Sequence, residues 1–218
     1  MIVHDFSKNN SLINQFISEI RDVSIQSDRL RFRKNMERIG EILTYEMSKT
    51  LEYKTKTVQT PLGDKQINVP VSEIVLCSIL RAGIPLHQGI LNYFDNVENA
   101  FVSAYRHHPD GGDEFEVNVE YLASPSLEGK TLILADPMLA TGRTLENVLV
   151  ALRNIGMPKQ IHIVSIIGAK PGIDLVDAVF PENTHLWIAA VDDSLNERGY
   201  IVPGLGDAGD LCYGPRLD

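Results

Sequence analysis

Five short apolar runs dominate the chain from residue 74 onward: IVLCSIL at 74–80, FVSAY at 101–105, TLILA at 131–135, IHIVSIIG at 161–168 and LWIAAV at 186–191. None alternates apolar with polar residues, so each reads as a strand covered on both faces rather than one wetted on one side. Most of the intervening segments read as helices. Strands buried on both sides and alternating with helices predict a mostly parallel central sheet flanked by helices, an α/β fold. In an open parallel sheet, ligands bind beyond the carboxyl ends of the strands. The chemistry of this chain is therefore sought where its strands end.

Before residue 74 the pattern is different. Leu12, Phe16, Ile17 and Ile20 recur at helical spacing, and Leu30, Ile39, Leu43 and Met47 predict a second, longer helix. The cluster RLRFRK in that helix reads as a solvated side rather than a basic binding face. KTKTVQ and QINVPV around PLGD predict a β-hairpin. A further exception lies between FVSAY and TLILA, where HHPDGGDEFEVNVEYL has a Gly-Asp centre and an alternating FEVNVEY, which predicts a two-stranded arm. The organisation read from this is one domain over 1–218, with amino-terminal helices and hairpin over 1–70, a core over 71–195 and a loop-rich tail over 196–218.

At 218 residues, with 44% hydrophobic residues, the chain can bury a core without a disulfide or metal staple. Cys77, inside an apolar run, and Cys212, in a Gly-rich tail, read as separate buried thiols. The balance of 20 basic to 29 acidic residues, net −9, disfavours a nucleic-acid partner. The start, MIVHDFSKNN, has no signal-peptide pattern, and no stretch is long and apolar enough to span a bilayer. The expected compartment is the cytoplasm, with no membrane partner.

The strongest local signal is TLILADPMLATGRTLENVLVAL. A buried strand ends at Asp136, a turn follows, and a helix begins near Arg143 or Thr144. Ala140 and Gly142 let backbone N–H groups approach an anion, Thr141 and Thr144 add hydroxyls, and the helix start supplies partial positive charge. A phosphate monoester suits such a cradle, and Asp136 is placed to accept hydrogen bonds from a sugar's vicinal hydroxyls. The competing reading is an ordinary Asp-Pro turn followed by a Thr helix cap. A second strand exit, SILRAGIPLHQGI, carries Arg81 just past its apolar run, and Arg106 follows FVSAY.

DPMLATGRT resembles the phosphoribosyl pyrophosphate (PRPP) loop of type I phosphoribosyltransferases, and DPMLATG in particular resembles their uracil-specific branch. LRAG resembles that family's pyrophosphate loop, and Arg106 resembles the Arg of its Tyr-Arg motif. GYIVPGLGDAGD in the tail resembles the family's uracil-binding segment. Arg143 departs from the usual Gly-Gly-Ser pattern, as do His107, His108, Pro109, Asp110, Gly111 and Gly112 from the usual arm; there a lid over bound PRPP is expected in preference to a metal site.

The resemblance implies a type I phosphoribosyltransferase fold, with a β-arm and a small hood, and the reaction of uracil with PRPP to give UMP and pyrophosphate. It implies that PRPP is bound by Arg81, Arg106, Asp136, Pro137, Met138, Leu139, Ala140, Thr141, Gly142, Arg143, Thr144 and Asp207, and uracil by Ile201, Gly206, Asp207 and Ala208. Asp136, Arg81 and Asp207 are the expected catalytic residues. Magnesium is expected to arrive with PRPP and to sit near Asp207, without a dedicated set of protein ligands. A homodimer or higher homo-oligomer, with GTP as a candidate effector, is also implied. Three other readings share parts of the pattern: a phosphoribosyltransferase for another base, an RNA-binding regulator of the same superfamily, and a PRPP-sensing subunit without turnover.

Overall fold

The computed structural model describes residues 1–107 and 116–216, and side chains throughout these except for residues 104–118. In chain order the elements are β1 (Ile2–Asp5), α1 (Leu12–Arg21), α2 (Arg29–Ser48), β2 (Tyr53–Thr60), β3 (Gly63–Pro70), β4 (Ile74–Leu80), α3 (Gly83–Leu91), β5 (Glu98–His107) and β6 (Glu116–Ala123). They continue as β7 (Thr131–Ala135), β8 (Met138–Leu139), α4 (Arg143–Arg153), β9 (Gln160–Ala169), α5 (Lys170–Val179), β10 (His185–Asp192), β11 (Ser194–Leu195), β12 (Ile201–Val202) and α6 (Ala208–Tyr213).

The main sheet runs β1-β10-β9-β7-β4-β5-β6, with β8 added alongside β9. Every pairing in it is parallel except β5 with β6. All five apolar runs fall on strands of this sheet. Alternation along each strand divides its residues between two layers, because successive side chains leave opposite faces. Ile74 and Leu76 of β4, Ile133 of β7 and Trp187 of β10 face a cluster formed with α1, α2, α3 and α6. Val75, Cys77 and Ile79 of β4, Leu132 and Leu134 of β7, and Ile161 and Ile163 of β9 face α4 and α5. Each fully buried Leu, Ile or Val contributes about 1.5–3 kcal/mol of transfer free energy.

The two amino-terminal helices start where the sequence offers caps. Ser11 Oγ accepts from the Ile13 N–H at 3.2 Å, and Asp28 Oδ1 accepts from the Arg31 N–H at 3.0 Å. Helix α2 buries Phe32, Met36, Ile39, Leu43 and Met47, one stripe at helical spacing. Leu12 and Leu30, expected on the buried stripes, instead sit exposed at the helix starts, before the core is reached. The basic cluster of α2 is a solvated, ion-paired side: Arg31 meets Glu19 and Lys34 meets Glu37. Arg33 is the exception and donates to the Cys212 carbonyl. Both cysteines are buried and free.

The expected hairpin forms as β2 and β3, paired from Tyr53↔Pro70 to Thr60↔Gly63 and lying largely in solvent. The expected arm is present as the antiparallel pair β5 and β6, with a register shift at Ser103/Ala104. Its tip, and with it the lid and the His107–Gly112 departure as a unit, lies outside the described residues. Two strands of the main sheet have no counterpart in the reading of the sequence. Residues Ile2–Asp5 add an edge strand beside β10, and Met138–Leu139 add two residues beside β9. Both runs are too short to show a period of their own. Among the described residues no helix is long and apolar enough to cross a membrane.

The β1 edge carries three imidazoles. His4 on β1 stacks on Trp187 at 3.7 Å between ring centroids, and its Nε2 lies 3.0 Å from His185 Nδ1. Deeper in, the Trp187 indole N–H donates to His162 Nδ1 at 3.2 Å, while His162 Nε2 is buried with no hydrogen-bond partner among the described residues. Burial first, then the neighbouring His185 and His4, hold His162 down to about 3. A histidine kept neutral by the fold stabilises it fully above the unfolded value near 6.5, and that stability drains as pH falls toward the folded value. The thermal midpoint is therefore expected to fall between pH 6.5 and 4. His162→Asn keeps an acceptor for the indole and should flatten that fall; an unchanged slope in the variant would refute the assignment.

Candidate active site

The chain reverses its direction across the sheet between β4 and β7. After β4 it passes through α3 on one face to β5, and after β7 it passes through α4 on the other face to β9. A crevice must open where the two crossovers part, at the carboxyl ends of β4 and β7. Those strands pair in parallel, Ser78 opposite Ala135, so the first residues past their ends, Arg81 and Asp136, leave the same edge of the sheet, Arg81 two residues further out. A cavity of about 450 Å³ lies there, walled by Leu80, Arg81, Ser103, Asp136, Thr144 and the tail around Gly206 and Asp207.

Asp136 is only 7% exposed. Its Oδ1 accepts from the Met138 N–H at 3.2 Å, while burial pushes its carboxyl up to about 7. The loop after it is pinned to β9, because the Pro137 carbonyl accepts from the Ile166 and Ile167 N–H groups at 3.2 and 3.0 Å. Helix α4 begins at Arg143, as expected, from Gly142 at φ +80°. Gly142 is needed twice over: a Cβ there would be strained at that φ, and would lie 2.8 Å from the Gly172 carbonyl oxygen. Thr141 Oγ1 accepts weakly from the Arg143 N–H at 3.4 Å, so the helix start lacks a strong side-chain cap. Orphan N–H groups at such a start are anion donors.

Of the loop residues, Asp136, Met138, Ala140 and Thr144 line the cavity. Pro137, Leu139, Thr141, Gly142 and Arg143 do not; Leu139 is buried in the core, and the Arg143 guanidinium meets Glu146 at 3.2 Å. Arg106 lies on β5 with its backbone opposite Val117; its side chain is outside the described residues.

The second wall is the tail. Strands β11 and β12 pair as a small hairpin, Leu195 opposite Ile201, and Asp207 caps α6 by accepting from the Asp210 N–H at 3.0 Å. Ile201, Leu205 and Ala208 are buried, whereas Val202 and Tyr213, expected to pack, are part-exposed. Gly206 is exposed on the cavity wall. The peptide bonds Leu80–Arg81 and Val202–Pro203 are cis.

The amino-terminal helices brace this tail. Arg21 at the end of α1 forms a two-pronged pair with Asp192, 2.8 Å on each prong, and donates to the Gly204 carbonyl at 3.0 Å. Asp192 Oδ2 in turn accepts from the Gly204 N–H at 2.9 Å, and Gln26 donates to the Leu205 carbonyl at 3.2 Å. A bidentate, largely buried pair fixes direction as well as distance.

The reading of the sequence passed over Ser103, Gly199, Tyr200, Gly209 and Arg216, which also line the cavity. Ser103 carried a signal, being the polar residue in FVSAY. Arg81 is held in a way the sequence did not reveal: its Nη2 donates to Asp210 Oδ1 at 3.2 Å and to the Gly214 carbonyl at 3.3 Å. Asp210 is thus the guanidinium's partner. Among the described residues no cluster of three or more His, Cys, Asp or Glu side chains is arranged to hold a metal.

A glycine-opened helix start at the switch point of a parallel sheet, facing a bent carboxy-terminal loop, defines an α/β protein with an anion seat beside a small-ligand wall. Residues 7–215 match the family profile described as uracil phosphoribosyltransferase. A uracil phosphoribosyltransferase of Porphyromonas gingivalis is 54% identical over 208 residues, 95% of this chain and 96% of its own. One from Thermococcus gammatolerans is 36% identical over 214 residues, 96% of this chain and 92% of its own. A solved structure of a protein from Aquifex aeolicus superposes with a TM-score of 0.86 at 31% identity, covering 98% of both chains. The chain belongs to the uracil phosphoribosyltransferase family.

A buried carboxyl held near 7 costs the fold stability at neutral pH, because the unfolded chain ionises it freely at about 3.8. Asp136→Asn should therefore melt at a higher temperature than the wild type at pH 8, with the gap closing toward pH 4.5. A variant that melts lower at pH 8 would show that the fold favours the carboxylate over the neutral acid at this position.

Proposed function

We infer that this chain transfers the phosphoribosyl group of PRPP to N1 of uracil, in the manner of its family. The N1–C1′ bond forms, the C1′–O bond to pyrophosphate breaks, and UMP, pyrophosphate and the N1 proton are released. The observation that carries the reading is a single cavity that joins the start of α4 to the glycine-bent loop around Gly206. One side suits a 5′-phosphate, and the other suits a flat ring read by main-chain groups.

Backbone N–H groups and hydroxyls over residues 139–144 hold the 5′-phosphate. Asp136 accepts from the ribose hydroxyls, and its burial makes that hydrogen bond worth more than it would be in water. Arg81 and Arg106 take the departing pyrophosphate, whose charge grows as the glycosidic bond lengthens, so that fixed cations lower the barrier. Main-chain groups of Ile201, Gly206 and Ala208 match the alternating carbonyl and N–H edge of uracil. Cytosine would set its amino group against donors, and a mismatch of that polar kind is rejected strongly.

Magnesium fits as a companion of the substrate. Asp207 uses Oδ1 to cap α6, which leaves Oδ2 without a donor among the described residues, and one free carboxylate oxygen suits an ion carried in on phosphate oxygens. Asp207 would hold the ion, which would supply positive charge against the pyrophosphate. Positioning and electrostatics carry the catalysis. The acidic overall balance continues to disfavour an RNA-binding regulator.

Supplied with uracil, PRPP and Mg²⁺, the protein should form UMP, lose that activity on chelation, and fail with hypoxanthine, guanine or orotate. Asp207→Asn keeps a good helix cap, so its fold should persist while turnover drops roughly 100-fold. Wild-type rates in that variant would remove Asp207 from the reaction.

A further inference from the structure

We propose that Arg216 is a further anion-binding residue of this site, directed at the pyrophosphate of PRPP beside Arg81. The proposal rests on the phosphoribosyl-transfer reading above and adds a residue that its motifs do not contain.

The cavity is lined by four charged side chains among the described residues: Arg81, Asp136, Asp207 and Arg216. Two cations against two carboxyl groups is a poor complement to a substrate that carries a phosphate and a pyrophosphate. Arg81 is moreover not a free cation, since Asp210 lies 3.2 Å from its Nη2. Arg143, the other arginine of the phosphate loop, is paired with Glu146 and does not line the cavity. Arg216 forms no ion pair among the described residues and is exposed on the cavity wall. It is the one uncompensated cation that the described structure presents to an incoming anion.

Its placement follows from the chain before it. Helix α6 stops at Tyr213, and its last carbonyls are taken up by arginines, Cys212 by Arg33 and Gly214 by Arg81 at 3.3 Å. Gly214 then adopts φ +93°, which a side chain would strain, and Pro215 holds its own φ near −65°. The chain is thereby turned out of the helix while fastened to the Arg81 guanidinium. Arg216 follows two residues beyond that fastening, so its backbone starts from the Arg81 side of the cavity that it lines. Of the two anionic groups on PRPP, the one it meets is the pyrophosphate. An arginine offers a planar fork to phosphate oxygens, and an exposed one is available to a ligand without first breaking an internal pair.

The test compares wild type, Arg216→Ala and Arg216→Lys by steady-state kinetics and by calorimetric titration with magnesium pyrophosphate. Arg216→Ala should weaken pyrophosphate binding and raise KM for PRPP about tenfold, the scale of one charge-assisted hydrogen bond. KM for uracil should stay within about twofold of wild type, the melting temperature should hold, and the salt dependence of pyrophosphate binding should become shallower. Arg216→Lys should recover part of the loss. Wild-type pyrophosphate affinity in Arg216→Ala overturns the proposal, and so does an equal loss for uracil with a lowered melting temperature, which would mark a structural role. If the wild-type protein itself neither binds pyrophosphate nor forms UMP, the underlying reading fails, and the assignment of Arg216 falls with it.

Discussion

The parallel hydrogen-bond ladder between β4 and β7 is the constraint on which the site depends. It sets Ser78 against Ala135, and so delivers Arg81 and Asp136 to the same edge of the sheet. The helices that follow the two strands bury their apolar stripes on opposite faces. The space between them is thus enforced by burial, not left over from it. A slip of one residue in either strand would turn its alternating core residues to the wrong layer, which makes the register, and with it the meeting of cation and carboxyl, as well determined as the core.

The environment of each charged group at that edge departs from what its residue type would have in water. Burial raises the Asp136 carboxyl to about 7, an arrangement that costs stability at neutral pH. Arg81 rests against Asp210 and the Gly214 carbonyl, so it is not a bare cation. Asp207 divides its two oxygens between a helix cap and the cavity. An overall charge of −9 is compatible with a polyanionic substrate because the few cations that matter are concentrated where the strands end.

The two ends of the sequence meet at the tail wall of the cavity. Arg21 and Gln26, near the start of the chain, hold the carbonyls of Gly204 and Leu205 almost two hundred residues later. Glycine-rich loops lose much conformational entropy on ordering, and here hydrogen bonds from Arg21 at the end of α1 and from Gln26 in the turn after it offset part of that loss. The amino-terminal helices are therefore part of the site's support, and a lesion in α1 is expected to be felt at Gly206 before it is felt in the sheet.

The sequence by itself determined the parallel sheet and the start of α4. Doubly apolar runs have no stable solution except burial on both faces, and a small-residue turn before a periodic segment is read within a single window. Asp136, Ala140 and Thr144 could be placed at a strand exit on the same local grounds, whereas Gly206 and Asp207 were reached only through the resemblance of the tail. Only the tertiary structure decided that Ile2–Asp5 becomes an edge strand, that Arg81 is held by Asp210, that Arg21 braces the tail and that Arg216 reaches the cavity. Periodicity and turn chemistry act over a few residues and leave marks in sequence. A hydrogen bond across 129 or 183 residues leaves none, because its two partners become neighbours only after the sheet has formed its order and the helices have packed.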